Sequence, residues 1–176
     1  VLHLNNLPIE FPFPVVNEAK STGQKVLPKD HKGRKDLRDL CFITIDGVTA
    51  KDFDDAIYVQ QEAKGFRLWV AIADVSHYVQ PGSPLDDEAY KRGTSVYLPN
   101  YVVPMLPEEL SNGICSLKPQ EDRLAFVCEM ALTFDGEIQS SQVYEGVIES
   151  KARVTYGQAQ EIINGDETHE LESVQN

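Results

Sequence analysis

Residues 125–134 carry the clearest alternation in the chain, with Phe126, Cys128, Met130, Leu132 and Phe134 separated by smaller or polar residues. A period of two marks a strand with one buried face. Asp135-Gly136 then offers turn residues and an apolar pattern resumes over residues 142–148. The two segments are predicted to form a hairpin with that apolar set turned inward. Earlier in the chain, Cys41-Phe42-Ile43-Thr44-Ile45 is β-branched and aromatic and stops at Asp46-Gly47, so Asp46 ends a strand. Residues 56–59 and 66–72 read as two further strands, joined by a polar turn containing Gly65.

Helix signals fall between and after these strands. Ser83 is a suitable N-cap, Pro84 suits the first helical position, Asp86 sits near the positive end and Gly93 supplies the stop, which predicts a helix over residues 84–92. Shorter helices are expected around residues 15–20, at 107–111 with Gly113 as terminator, and at 156–163, where Gly165-Asp166 breaks the pattern. Prolines at 8, 12 and 14 exclude a continuous helix or central strand near the start. Residues 1–35 therefore read as a connector from an upstream region. Residues 36–176 read as the N-terminal part of a domain that stops without a closing element. The expected class is α+β, a mainly antiparallel sheet with short helices.

Composition narrows the function classes. The chain has 176 residues, 41% of them hydrophobic, enough for a core. No apolar run approaches the roughly 18 residues of a membrane span, and the first residues lack a signal-peptide pattern, so no membrane partner and a cytoplasmic location are expected. Cys41, Cys115 and Cys128 have no paired spacing and read as core residues, while His3, His31, His77 and His169 are too scattered to build a zinc site. The formal charge of −12 argues against nucleic acid unless some acids bind cations or basic modules lie elsewhere.

Asp46, Asp52, Asp54 and Asp55 fall within ten positions, offset only by Lys51. So many short carboxylates repel one another unless cations lie between them. Hard oxygen ligands suit Mg²⁺, with Mn²⁺ as an alternative, and four aspartates could serve two ions. Two ions about 3.5–4 Å apart can activate a water and stabilise a leaving oxygen in phosphodiester hydrolysis. A solvated acidic loop is the plain alternative, but Ala50, Phe53 and Ala56 interrupt the acids and apolar strands flank them. A calcium loop is the nearest competitor, and the EF-hand glycine and terminal glutamate are lacking.

The same stretch carries a resemblance. Asp36-Leu37-Arg38-Asp39-Leu40, Thr44-Ile45-Asp46-Gly47 and Asp52-Phe53-Asp54-Asp55-Ala56 are similar to the opening D-L-R-D-L, T-I-D-G and D-x-D-D-A motifs of the ribonuclease R and ribonuclease II (RNB) exoribonuclease family. The likeness continues through residues 68–79, 93–99 and 104–117 to about residue 160, and is strongest with the bacterial ribonuclease R branch. It implies the first part of an RNB catalytic domain, preceded by a connector from a cold-shock-like region. It also implies Mg²⁺-assisted hydrolysis of single-stranded RNA from the 3′ end to nucleoside 5′-monophosphates. By the same resemblance, Asp46 and Asp55 are metal ligands, Asp52 and Asp54 complete the site, and Asp54 is the position whose loss most damages turnover. Tyr97 matches an aromatic that packs on bases near the 3′ end, with Tyr156 a weaker candidate for RNA contact. Read without the family, Tyr97 is a core tyrosine, Asp74 and His77 are satisfied structural groups, and Arg38 and Arg123 meet phosphate or neutralise acids.

The family's later residues, an arginine, a glutamate and a second aromatic at the active site, have no counterparts here, so the isolated chain is expected to be nearly inactive. A non-enzymatic interaction module with a structural Ca²⁺ or Mg²⁺ site is the rival from another class. Protein partners are not legible in the residues.

Overall fold

The computed structural model describes residues 7–99 and 101–165. They gather into two compact units, one joining the chain up to Gln24 with Val75–Ile114, the other joining Lys25–Asp74 with the chain from Cys115 onward. The expected α+β class holds, with a large, mostly antiparallel sheet and short helices.

The sheet lies in the second unit. Its strands are β1 (Lys35–Asp36), β2 (Ile43–Asp46), β3 (Asp55–Glu62), β4 (Gly65–Ala73), β7 (Asp122–Leu132), β8 (Ile138–Glu149) and β9 (Ala152–Thr155), in spatial order β1-β8-β7-β4-β3-β2-β9. The outer pairs β1–β8 and β2–β9 are parallel and the inner ones antiparallel. As expected, Asp46 ends β2, but β3 begins one residue earlier than the apolar pattern indicates, at Asp55. The turn between β3 and β4 requires glycine: Gly65 has φ +149°, and a Cβ there would stand 1.9 Å from the Leu132 carbonyl oxygen.

The hairpin β7–β8 forms, yet around residues 125–127 its inward face is the opposite one. Ala125 and Val127 are fully buried, while Phe126 is 38% and Phe134 56% exposed. The reason is close packing on the small-residue face. Val127 pairs with Ala71, Ala125 pairs with Ala73 and Gly146, and a Cβ on Gly146 would meet both Val127 and Leu37 within 3.4 Å. The Phe126 ring cannot enter that layer, so around residues 125–127 the alternation is right and its polarity reversed. Trp69, stacked on its cross-strand neighbour Tyr58 at 5.2 Å, and Phe42 complete this side of the core.

In the first unit, α1 (Phe13–Ser21) and α2 (Pro84–Arg92) accompany a short ribbon of β5 (Val96–Leu98) and β6 (Tyr101–Val103). Ser83 caps α2 as expected, its hydroxyl accepting from the Asp86 amide at 3.3 Å, and Gly93 ends it with φ +72°. The Glu18 carboxylate of α1 accepts from the Leu85 amide at 2.9 Å, satisfying another free N–H of that helix end. The brief helix near 107 runs into a wide turn over Leu110–Ile114 and loses helical geometry at Gly113, with φ −110° and ψ −116°, the residue expected to end it. In the second unit α3 (Tyr156–Ile163) starts at the cap Thr155, and Gly165 follows with φ +81°. Asp166, His3 and His169 lie outside the described residues.

The proline-broken segment is held by one side chain. Arg92, 2% exposed, pairs with Glu88 at 2.9 Å and donates to the carbonyls of Pro8, Glu10 and Pro104. Its guanidinium also lies 3.7 Å from the Phe11 ring centre. Replacing Arg92 by alanine leaves Glu88 buried without its cation, and such losses cost about 3 kcal/mol. Urea denaturation of Arg92→Ala should show a destabilisation of that order, and an unchanged midpoint would contradict this role.

Candidate active site

The acidic loop is fastened to the fold through its backbone. It leaves β2 after Asp46 and enters β3 at Asp55. Arg153 of β9 donates one guanidinium nitrogen to the carbonyls of Gly47 at 2.8 Å and Val48 at 2.6 Å. Ser116, fully buried, donates its hydroxyl to the Lys51 carbonyl at 2.8 Å and accepts from the Phe53 amide at 3.1 Å. The Phe53 carbonyl accepts from the Leu117 amide at 2.8 Å, and that of Asp54 from the Ala73 amide at 2.9 Å. The Phe53 ring is 6% exposed and fills the core between Asp52 and Asp54. The loop is therefore packed against the fold, and the alternative of a wholly solvated acidic loop fails.

Fastening the backbone brings the four aspartates into mutual repulsion. The Asp54 carboxyl titrates above its ordinary value, first because neighbouring protein removes hydration, although the residue as a whole is exposed, then because Asp52, Asp55 and Asp46 repel its charge. Asp46 is raised too, by burial first and then by Asp55 and Asp52, with Arg153 pulling the other way. Beneath the loop, burial foremost and then the charge of Asp54 push the Cys115 thiol up to about 12, leaving it an inert core group.

The donor set consists of hard carboxylate oxygens and fits Mg²⁺ or Mn²⁺ in chemistry. As the side chains stand, no group of three or more His, Cys, Asp or Glu among the described residues is arranged to hold a metal ion.

The remaining candidates divide. Tyr156 opens α3 directly after Thr155, the register partner of Asp46, and is 65% exposed. Tyr97 lies in β5 of the other unit and is also 65% exposed, which excludes the core reading. Asp74 is a structural group: it pairs with Arg34 at 2.6 Å, both side chains at most 5% exposed. His77 lies edge-on to Tyr78. Arg38 pairs with Asp36 and Asp122 and holds the Asp36 carboxyl at about 2, while Arg123 is buried on the Ser116 carbonyl and Glu121, so both neutralise or brace rather than stand ready for phosphate. Ser116 and Arg153 were invisible in the local pattern because their contacts span 63 to 106 positions.

Fold and loop together match one class of domain. The RNB domain aligns with residues 34–175, and the chain belongs to the RNB domain family. Within that family it is 50% identical to ribonuclease R of Vibrio parahaemolyticus over 167 residues, 94% of this chain and 20% of that protein. It is 54% identical to ribonuclease R of Thermotoga maritima over 157 residues, 89% of this chain and 22% of that protein. Mycoplasma genitalium RNase R, solved in complex with ribose methylated single-stranded RNA, superposes with a TM-score of 0.92 at 39% identity, covering 98% of this chain and 27% of that one. The chain thus spans about a fifth of the length of the curated relatives it matches.

Raised carboxyl values have a stability consequence of fixed sign. Protonated Asp46 and Asp54 are favoured by the folded state, so their stabilising contribution is complete below the unfolded value near 3.8 and is lost as pH rises through the higher folded values. In chelator at pH 7, Asp54→Asn should therefore stabilise the chain by roughly 0.2–1 kcal/mol, the scale of solvent-screened charges. The gain should vanish near pH 3. Urea titration at both pH values checks this, and a destabilised variant at pH 7 would contradict the repulsion.

Proposed function

We propose that this chain is the acid-bearing part of a 3′-to-5′ exoribonuclease that hydrolyses single-stranded RNA to nucleoside 5′-monophosphates. The observation that carries the reading is the tetra-aspartate loop, braced by Ser116 and Arg153, in a chain of the RNB domain family. Similarity to an RNase R in complex with ribose methylated single-stranded RNA supports the substrate class.

In this reading Asp46, Asp52, Asp54 and Asp55 would hold Mg²⁺, or Mn²⁺ in its place, which when bound supplies neutralisation of phosphate charge and a more acidic water. Asp46 and Asp55 are placed by strand ends and define fixed margins of the site. Asp52 and Asp54, on the braced loop, would complete the site and serve the reacting phosphate. Asp54, crowded by the three other acids, gains most from a nearby positive charge and is the group on which turnover depends. Exposed faces of Tyr97 and Tyr156 offer stacking surfaces for bases, at about 1–3 kcal/mol per base.

The charge of −12 opposes RNA approach to the isolated chain. Its own binding and turnover are accordingly weak, and the activity belongs to a longer polypeptide on the scale of the relatives. A cytoplasmic setting accords with three free thiols. No helix among the described residues is long and apolar enough to cross a membrane.

The test is Asp54→Asn in the full-length protein, with RNA degradation and RNA binding measured side by side. Degradation should disappear while binding stays within about threefold, since one carboxylate contributes little to contacts along the RNA backbone. Degradation at the original rate would refute the assignment. Tight Ca²⁺ binding with no turnover by the unmodified protein would favour the interaction module.

A further inference from the structure

We infer that Arg153 is a positioning residue for the cation site, acting by clamping the backbone of the acidic loop instead of pairing with its carboxylates. The inference rests on the reading of the four aspartates as cation ligands given above. Arg153 sits in β9 opposite Thr44 of β2, two residues before the position level with Asp46. From there its guanidinium reaches the two carbonyls that follow Asp46. The same group lies 5.4 Å from the ring centre of Phe53, the residue between Asp52 and Asp54. One side chain thus touches the start of the loop and the ring that anchors its far end.

Chemistry explains why this seat takes an arginine. One guanidinium nitrogen bonds both carbonyls while the carbon at the centre of the group stays 5.4 Å from the Phe53 ring centre. A lysine, whose charge is a single point on a flexible stem, would have to leave one contact to make the other. Bonding to carbonyls brings positive charge beside the acids and leaves their oxygens available to a cation. Packing alone does not account for the residue, because the Arg153 Nε is buried without a hydrogen bond, a penalty that an apolar side chain would avoid.

Arg153→Ala and Arg153→Lys in the 176-residue chain separate clamp from charge. Each would be examined by amide hydrogen exchange and by Mn²⁺ titration followed by electron paramagnetic resonance. Both variants should unfold cooperatively and keep the exchange rates of the β7–β8 hairpin, while amides from 48 to 53 exchange faster. Mn²⁺ affinity should fall roughly tenfold in both, as for groups that orient metal ligands from behind. Unchanged loop exchange, unchanged Mn²⁺ affinity, or full restoration of both by lysine would overturn the clamp. Global unfolding of both variants would overturn it in favour of a purely structural role. If the unmodified chain binds no Mn²⁺, the cation reading itself fails, and the loop amides alone then report whether Arg153 holds the loop.

Discussion

Mutual repulsion of four carboxylates is the constraint around which this part of the molecule is organised. Left to itself, a ten-residue acidic segment would spread into solvent to separate its charges. Here its main chain is tied at residues 47, 48, 51, 53 and 54 by groups from β4, from β9 and from the stretch at 116–117. The strand order makes this reach feasible, since β2 lies between β3 and β9 and the loop leaves one of the strands it borders and enters another. A hydrogen-bonded main chain that holds mutually repelling carboxylates near one another is an arrangement that a bound cation could draw together.

Acids elsewhere in the same unit are treated differently. Glu129 is pushed upward by burial, but hydrogen bonds from Tyr144 and Arg67 and the charge of Lys35 prevail and hold it below its ordinary value. Asp74 is buried against Arg34, and Asp36 is gripped by Arg38. Against this background of satisfied carboxylates, Asp46 and Asp54 shift the other way. The contrast marks Asp46 and Asp54 as acids whose charge their surroundings oppose, which their density in the sequence alone does not show.

Local pattern carried the elements well. Apolar pattern and residue type located β2, β3, β4 and the β7–β8 hairpin but not β1, β5, β6 or β9, and Ser83, Pro84 and Gly93 bounded α2. Pattern could not say which face of β7 turns inward, because that depends on Ala71, Ala73 and Gly146 arriving from other strands to form a layer too thin for Phe126. The four aspartates were legible from spacing and motif. Their braces were not, since Ser116 and Arg153 are ordinary residues until the sheet brings them beside the loop. The same holds for Arg92, which organises a proline-broken segment 82 to 84 positions earlier through carbonyl contacts that leave no trace in sequence.

If the folded loop binds a cation, binding must be linked to folding. A ligand that binds only the folded state raises the melting temperature with its concentration. The most direct measurement is the melting temperature of the 176-residue chain across a series of Mg²⁺ concentrations, at constant ionic strength, beside Asp55→Asn. The account predicts a rise with Mg²⁺ in the unmodified chain and a flat response in the variant. A melting temperature indifferent to Mg²⁺ in both would contradict it.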